Sequence, residues 1–391
     1  MSASTIAHIE TFVVTMPRDV PYIGPLGPGE SINIRGYIVR KGNATIYPTV
    51  DRSVVVRVTT TDGLVGWGET YGICAPKATC EIINELLAPV LVGSDAEDVE
   101  SLWEQLYGLM RVRGCTSGFH VDAISALDIA LWDLRAKTRH MPLAALLRKQ
   151  YQPTLPGYLS GLPLATIEQR VSMALEWQKR GITAFKFHAV VSHAGIKAEF
   201  AALRAALGRS VDIMADLHWK FDAAGAIELA QELATLQPRF LEAPVATEDT
   251  KGLAQVCKAA PCPIAAGEEW YTEYEVRNRL DSCKLALIQP EMAHTGVTQF
   301  LRIAKLASQH GVAIAPHATI GTGIFLAASL HASATLSNLW KHEWQHSVFE
   351  HNLQLLSTDM WFEGGQYHMP TGIGLGVEPN ERFWKHAELV Q

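Results

Sequence analysis

The sequence predicts an α/β chain: a (β/α)7β barrel of the TIM type beneath an N-terminal α+β capping domain that the C-terminal segment completes. Three observations carry this prediction. From Leu155 onward, short β-rich segments alternate with amphipathic helices, a pattern that calls for a parallel sheet with helical crossovers. The strand candidates centre near Tyr158, Phe185, Ile213, Leu241, Ala265, Leu287, Ile314 and Val348. They are roughly 22 to 34 residues apart, the length of one βα unit, and eight such strands close a ring. Finally, 391 residues exceed the size at which one core usually stops growing, so a barrel plus a smaller domain is expected.

The first part, 1–140, opens with the β patterns IAHIETFVV and SVVVRVTTTDGLVGWGE. Asp62-Gly63 between two alternating runs signals a hairpin, and a three-stranded antiparallel sheet fits. Helices are expected over 79–92, 96–110 and 118–138, the last with Ala123, Ile124, Leu127, Ala130, Leu131 and Leu134 at helical spacing. Between the opening strands, the stretch 17–52 is rich in Pro and Gly and too long for a simple connection. It reads as a lid that sets specificity. The barrel spans 150–355, and its first helix is punctuated by a capping box of Thr166 with Gln169 and by Gly181. Residues 356–391 are irregular and return to the capping domain.

Composition narrows the function classes. Hydrophobic residues make up 48% and charged residues 19%, as in an ordinary soluble globular protein, and the net charge of -7 argues against a nucleic-acid surface. MSASTIAHIETFVV lacks the basic start and apolar run of a secretory signal, and no apolar run approaches the roughly 20 residues of a membrane span. The six cysteines are dilute and form no Cys-x-x-Cys pair, as expected of reduced thiols. The expectation is a cytoplasmic homo-oligomer with neither nucleic-acid nor membrane partners.

Asp216, Glu242 and Glu268 stand at equal intervals along the chain, each closing a short apolar run: VDIMAD, RFLE and PIAAGE. In barrels of this type the working face lies at the C-terminal strand ends. Acids there on strands three, four and five converge, because adjacent strands lie about 4.8 Å apart. One such acid would most simply cap a helix or pair with a base. Three in step, losing their hydration together, need a cation, and all-oxygen ligation suits Mg²⁺ better than zinc.

Strand two ends FKFHAV, so Lys186 and His188 share the inward side; Asp216 and His218 do the same on strand three. A lysine near a metal can hold a substrate carboxylate, and a histidine can move protons near neutral pH. Strand six ends LALIQPE and strand seven VAIAPH, placing Glu291 and His317 on neighbouring strands at the same interval as the acids. A carboxylate on one imidazole nitrogen fixes the tautomer and raises the basicity of the other, the build of a general base. His317 would meet a substrate from the face opposite Lys186 and His188. The last strand, SVFEHN, offers Glu350 near the substrate carboxylate, with Glu343 close by. Gly321 and Gly323 of IGTGIF open a helix whose backbone N–H groups can receive an anion. His294, His310 and His331 read as loop or helix residues rather than ligands.

Taken together these motifs resemble the enolase superfamily, and within it the mandelate racemase subgroup, over nearly the whole chain. GLVGWGET and SALDIALWDLRAK match the capping domain; Lys-x-His, the three acids and QPEMAHTGVTQFLRIAKLASQHGVAIAPH match the barrel. The resemblance implies a Mg²⁺ that chelates a substrate carboxylate, abstraction of the adjacent α-proton, and an enediolate stabilised by metal and lysine. Departures narrow the reaction. His188 stands where the subgroup usually has a second lysine, and strand six carries no catalytic lysine. Asp216-Leu-His218 is similar to the Asp-x-His of galactonate and mannonate dehydratases, where the histidine helps hydroxide leave. Glu291 replaces the commoner Asp, and LEAP the commoner Glu-Glu-Pro.

The expected activity is therefore Mg²⁺-dependent dehydration of an aldonic or aldaric sugar acid to a 2-keto-3-deoxy acid, a hydro-lyase reaction. His317, oriented by Glu291, takes the α-proton; Lys186 and the metal hold the enediolate; His218, or alternatively His188, protonates the departing hydroxyl. Substrate hydroxyls would be read by the lid, with Arg35 in it, and by Trp219, Trp270 and Tyr271. A racemase or epimerase of a 2-hydroxy acid is the alternative, since groups on both faces can exchange the α-proton. A non-catalytic binding or scaffold barrel is a third reading.

Overall fold

The computed structural model describes residues 4–18, 24–192, 194–318 and 321–391. Part of the expected lid, 19–23, lies outside the described residues. The capping sheet is built from Ile6–Met16, Asp51–Thr60 and Val65–Tyr71, antiparallel neighbours joined at Asp62-Gly63 in the second pair. Val54, Val55, Val56 and Val58 are fully buried, and their β-branched side chains suit the pleated surface they cover. The three expected strands gain a fourth: Ala387–Val390 pairs antiparallel with Ile6–Met16. The end of the chain thereby closes an edge that would otherwise expose unpaired N–H and C=O groups.

Helix Phe119–Thr138 lies on this sheet and is buried around most of its circumference. Such a helix needs neighbours on both sides, and the barrel supplies the second. Its closeness to the sheet depends on Gly66 and Gly68. A Cβ at 66 would overlap the Ala130 carbonyl oxygen, and one at 68 would overlap that of Ala126. Gly66 and Gly68 of GLVGWGET are therefore packing residues, while Gly63 is the turn residue of the hairpin. The helix expected over 79–92 is three pieces, Pro76–Glu81, a π-helical Ile82–Leu87 and Ala88–Leu91, followed by Val99–Arg111.

Seven barrel strands run parallel in chain order: Thr154–Ser160, Ala184–His188, Asp212–Asp216, Phe240–Glu242, Ile264–Ala266, Leu287–Ile288 and Ala313–Ile314. The eighth is His342–Trp344, which pairs with the first, while Leu339 bridges to Ile314 and closes the ring. This corrects the strand expected near Val348, which instead precedes the short helix Phe349–Leu353. His342, Glu343 and Trp344 form no apolar run, so hydrophobicity marks SVF rather than the real strand. The capping box of Thr166 with Gln169 is present at helix Ile167–Lys179.

Residues 356–391 divide their contacts. The hairpin of Trp361–Glu363 and Gln366–His368 adds antiparallel to the first barrel strand, and only the last strand joins the capping sheet. Among the described residues, no helix is long and apolar enough to cross a membrane.

Candidate active site

The barrel interior holds one compact layer, Tyr158, Ala184, Met214, Phe240, Ala265, Leu287 and Ala315. Two residues further along the same strands, the inward positions become Ser160, Lys186, Asp216, Glu242, Gln289 and His317, all buried. Side-chain alternation thus turns an apolar plug into a polar mouth within one pleat.

Asp216, Glu242 and Glu268 each offer an oxygen within 4.8 Å of the others. Burial pushes Asp216 up to about 6 and Glu268 well above the carboxylate range; Lys186 works against the first rise and His317 against the second. Glu242 is raised too, and its Oε2 is buried without a hydrogen-bond partner among the described residues. A divalent cation fits this set: it would satisfy the orphaned oxygen and favour the charged form of acids that burial raises.

Lys186 is completely buried, with its Nζ 2.8 Å from Glu242 Oε1 and 3.0 Å from Glu343 Oε1. Burial alone would strip its proton, but the two carboxylates outweigh it and raise the lysine well above its ordinary value. Burial likewise opposes ionisation of Glu343, yet Lys186 and His317 bring it down to about 2. The acid of the eighth strand is therefore Glu343. Glu350, expected there, is exposed on helix Phe349–Leu353, because the strand ends at Trp344.

His317 Nδ1 lies 2.7 Å from Glu291 Oε2. Two further donors brace that carboxylate: the Ala293 N–H on Oε1 at 3.0 Å and the Tyr71 hydroxyl on Oε2 at 3.1 Å. The extra methylene of Glu291 is thus pinned rather than loose. His317 Nε2 stands 3.3 Å from Glu268 Oε2. Burial depresses His317, but Glu268, Glu343 and Glu291 carry it up to about 10, a field that a cation on Glu268 would partly cancel.

On the other wall, the rings of His188 and His218 meet edge to face at 5.3 Å. His188 Nε2 is 3.2 Å from Ser160 Oγ, and His218 Nδ1 is 3.1 Å from Asp216 Oδ1. Burial holds His218 down to about 4 and His188 well below its ordinary value. Strand alternation does not place His218, contrary to expectation. The strand stops at Asp216, and His218 and Trp219 follow in left-handed backbone with φ of 50° and 54°. Such residues cost about 1 kcal/mol or more each, and they are held by the Trp219 N–H on the Ala243 carbonyl at 2.7 Å and the His218 N–H on Asp216 Oδ1 at 2.9 Å.

All of this surrounds a cavity of about 380 Å³ lined by Asp216, His218, Glu268, His188 and His317. Trp219 and Tyr271 line it too. Trp270 does not; it is buried with the Arg279 guanidinium 5.3 Å from its ring centroid. Nor does Arg35, which is exposed on a turn of segment 17–52 where its N–H bonds to Asn33. Segment 17–52 contributes Tyr47 from its hairpin Tyr37–Val39 and Ile46–Pro48, and the capping domain contributes Tyr71 and Asp122. His294, expected to be an ordinary helix residue, also lines the cavity.

The anion expected at IGTGIF is the protein's own. Buried Glu69 of GLVGWGET accepts from the N–H groups of Thr322, Ile324 and Phe325 and from the Ser53 hydroxyl. A single acid inside a Gly-rich apolar run was the available signal for it.

A capped parallel barrel whose mouth gathers carboxylates, a buried lysine and an imidazole–carboxylate pair is the framework of an acid–base enzyme. Residues 169–383 match the family described as Enolase C-terminal domain-like, and residues 44–148 match Mandelate racemase / muconate lactonizing enzyme, N-terminal domain. The chain belongs to the enolase superfamily. It is 30% identical over 378 residues to a D-galactonate dehydratase of Verminephrobacter eiseniae, covering 88% of this chain and 97% of that protein. A D-galactarolactone cycloisomerase of Agrobacterium fabrum is 30% identical over 344 residues, 84% of this chain and 89% of that one. The crystal structure of a member of the enolase superfamily from Agrobacterium tumefaciens is 51% identical, with a TM-score of 0.97 over 99% of this chain and 100% of that one.

Proposed function

We propose that this protein is a Mg²⁺-dependent dehydratase that converts an aldonic or aldaric sugar acid to a 2-keto-3-deoxy acid. The observation that carries the reading is one cavity lined by Asp216 and Glu268, with Glu242 converging on them, and by proton-transfer groups on two walls, His317 backed by Glu291 and the pair His188–His218. The relatives named D-galactonate dehydratase support it. Asp216, Glu242 and Glu268 would hold the cation, which supplies positive charge to a substrate carboxylate and so acidifies the adjacent α-proton.

Lys186, kept charged by Glu242 and Glu343, donates to the carboxylate oxygen on which negative charge develops. His317 Nε2 takes the α-proton while Glu291 holds Nδ1 and the tautomer. The freed electron pair forms a C=C bond as the β C–O bond breaks. His218, or His188 beside it, gives the proton with which the hydroxyl leaves as water, a role for which the negative charge of the bound substrate has to offset the burial that holds these rings neutral, and the resulting enol becomes the 2-keto acid.

Incubation with Mg²⁺ and a panel of aldonic and aldaric acids, assayed for 2-keto product, tests this directly. A panel with no product from any member rules the reading out. The cycloisomerase relative favours a second reading, in which the same abstraction isomerises a lactone of such an acid. A product of unchanged mass from a sugar-acid lactone would decide for it.

A further inference from the structure

Helix Met292–Gln309 starts directly after Glu291, but its first turn is bent away from the rest at Gly296, whose φ of 63° and ψ of 178° leave helical space. Glycine is required there, because a Cβ would stand 2.6 Å from Asp128 Oδ2. The bent turn is tied to the capping domain. The Thr70 hydroxyl donates to the Ala293 carbonyl at 2.6 Å, the Ser125 hydroxyl to the Met292 carbonyl at 2.9 Å, and the Thr298 N–H to Asp128 at 2.9 Å. These ties are buried, and none of Thr70, Ser125 or Asp128 lines the cavity.

One tie differs. His294 Nδ1 lies 2.6 Å from Asp122 Oδ1, and both residues line the cavity. The imidazole is flanked by the rings of Tyr71 and Tyr271, each with its centroid 4.5 Å away. Asp122 occupies Nδ1, and among the described residues Nε2 has no hydrogen-bond partner. A pair that only joined two domains would be covered like its neighbours. A carboxylate that fixes one ring nitrogen while the other is left for the cavity is the arrangement of a binding group. Tyr71 also sets its register, because the same side chain donates to Glu291 of the proton-abstracting pair.

We propose that His294, held by Asp122, is a specificity-determining residue that hydrogen-bonds a hydroxyl of the sugar-acid chain beyond the reacting carbons. The assignment rests on the sugar-acid reading above. It concerns recognition, so its loss should appear in KM more than in kcat.

The test compares full-length wild type, His294→Ala, His294→Gln and Asp122→Asn with Mg²⁺ and the best acid of the panel. His294→Ala should raise KM about tenfold, the worth of one hydrogen bond to a fixed partner, with kcat nearly unchanged. His294→Gln, which keeps an N–H donor, should recover most of that loss. Asp122→Asn should raise KM as well but add nothing in the His294→Ala background. Monodeoxy acids give an independent readout from the substrate side. Removing the contacted hydroxyl should cost wild type about tenfold in KM and cost the alanine variant nothing, with His294→Gln in between. Unchanged KM in His294→Ala, multiplying losses when Asp122→Asn is added to it, or equal deoxy penalties in wild type and His294→Ala at every position would each overturn the assignment. Wild type inactive on every acid sinks the dehydratase reading and this assignment with it. An active wild type indifferent to the substitutions sinks only the assignment.

Discussion

Glu343 holds the ammonium of Lys186 at 3.0 Å from the end of the eighth strand, and Glu242 of the fourth holds it at 2.8 Å. The lysine is thus aimed as well as charged. Glu343→Gln should lower kcat about 100-fold, comparable to loss of one preorganised donor, while Mg²⁺ binding persists. Steady-state kinetics with saturating acid decide it; a kcat within threefold of wild type would show that Glu242 alone suffices.

The two walls of the cavity should separate on isotope exchange. With substrate in D₂O, His317→Asn should neither exchange the α-proton nor form product, a loss of at least about 1000-fold. His218→Asn should keep exchanging while dehydration falls about 100-fold. Proton NMR of the recovered acid reads both. Exchange that survives His317→Asn would move the base to the opposite wall, and an intact His317→Asn activity would return the barrel to a binding role.

Chelation tests the carboxylate cluster without any reaction. Treated with EDTA, the protein should melt a few degrees lower than with Mg²⁺, since a ligand at about 100 times its Kd stabilises by about 2.7 kcal/mol. The shift should vanish in Asp216→Asn. A melting curve blind to Mg²⁺ would mean the three acids are stabilised some other way.

The strand-end acids were legible because one βα unit repeats at a fixed length, and the spacing between Asp216 and Glu242 reappears between Glu291 and His317. The same step taken once more from His317 lands on Glu343, so the ruler held the answer that hydrophobicity hid behind SVFEHN. Trp270 and Arg35 failed for a different reason. An aromatic or a cation near a strand end says nothing about which way it faces, and Trp270 turns inward while Arg35 turns to solvent. The pairings Asp122–His294 and Tyr71–Glu291 join residues 172 and 220 positions apart, a distance over which periodicity carries no information.

Asp128 offers a stability test away from the cavity. Burial pushes it up to about 7, against the Thr298 N–H and hydroxyl that favour its charge. A folded value above the unfolded one means that the native state holds an extra proton between about pH 4 and 7, so this group's contribution falls as pH rises through that window. Asp128→Asn removes the dependence. From pH 5 to 7 the variant should gain on wild type by about 2 kcal/mol in urea unfolding, and a constant difference would contradict the raised value.

Glu69 gives the barrel helix Ile324–Ser333 a carboxylate that the barrel does not own. Cut free of the capping domain, that helix would begin on bare backbone N–H groups in an apolar setting. Chimaeras that graft a relative's capping domain onto this barrel should therefore fold only when the donor brings an acid to that place. The capping domain thus acts as a keystone for the barrel, and can be traded between relatives only together with that acid.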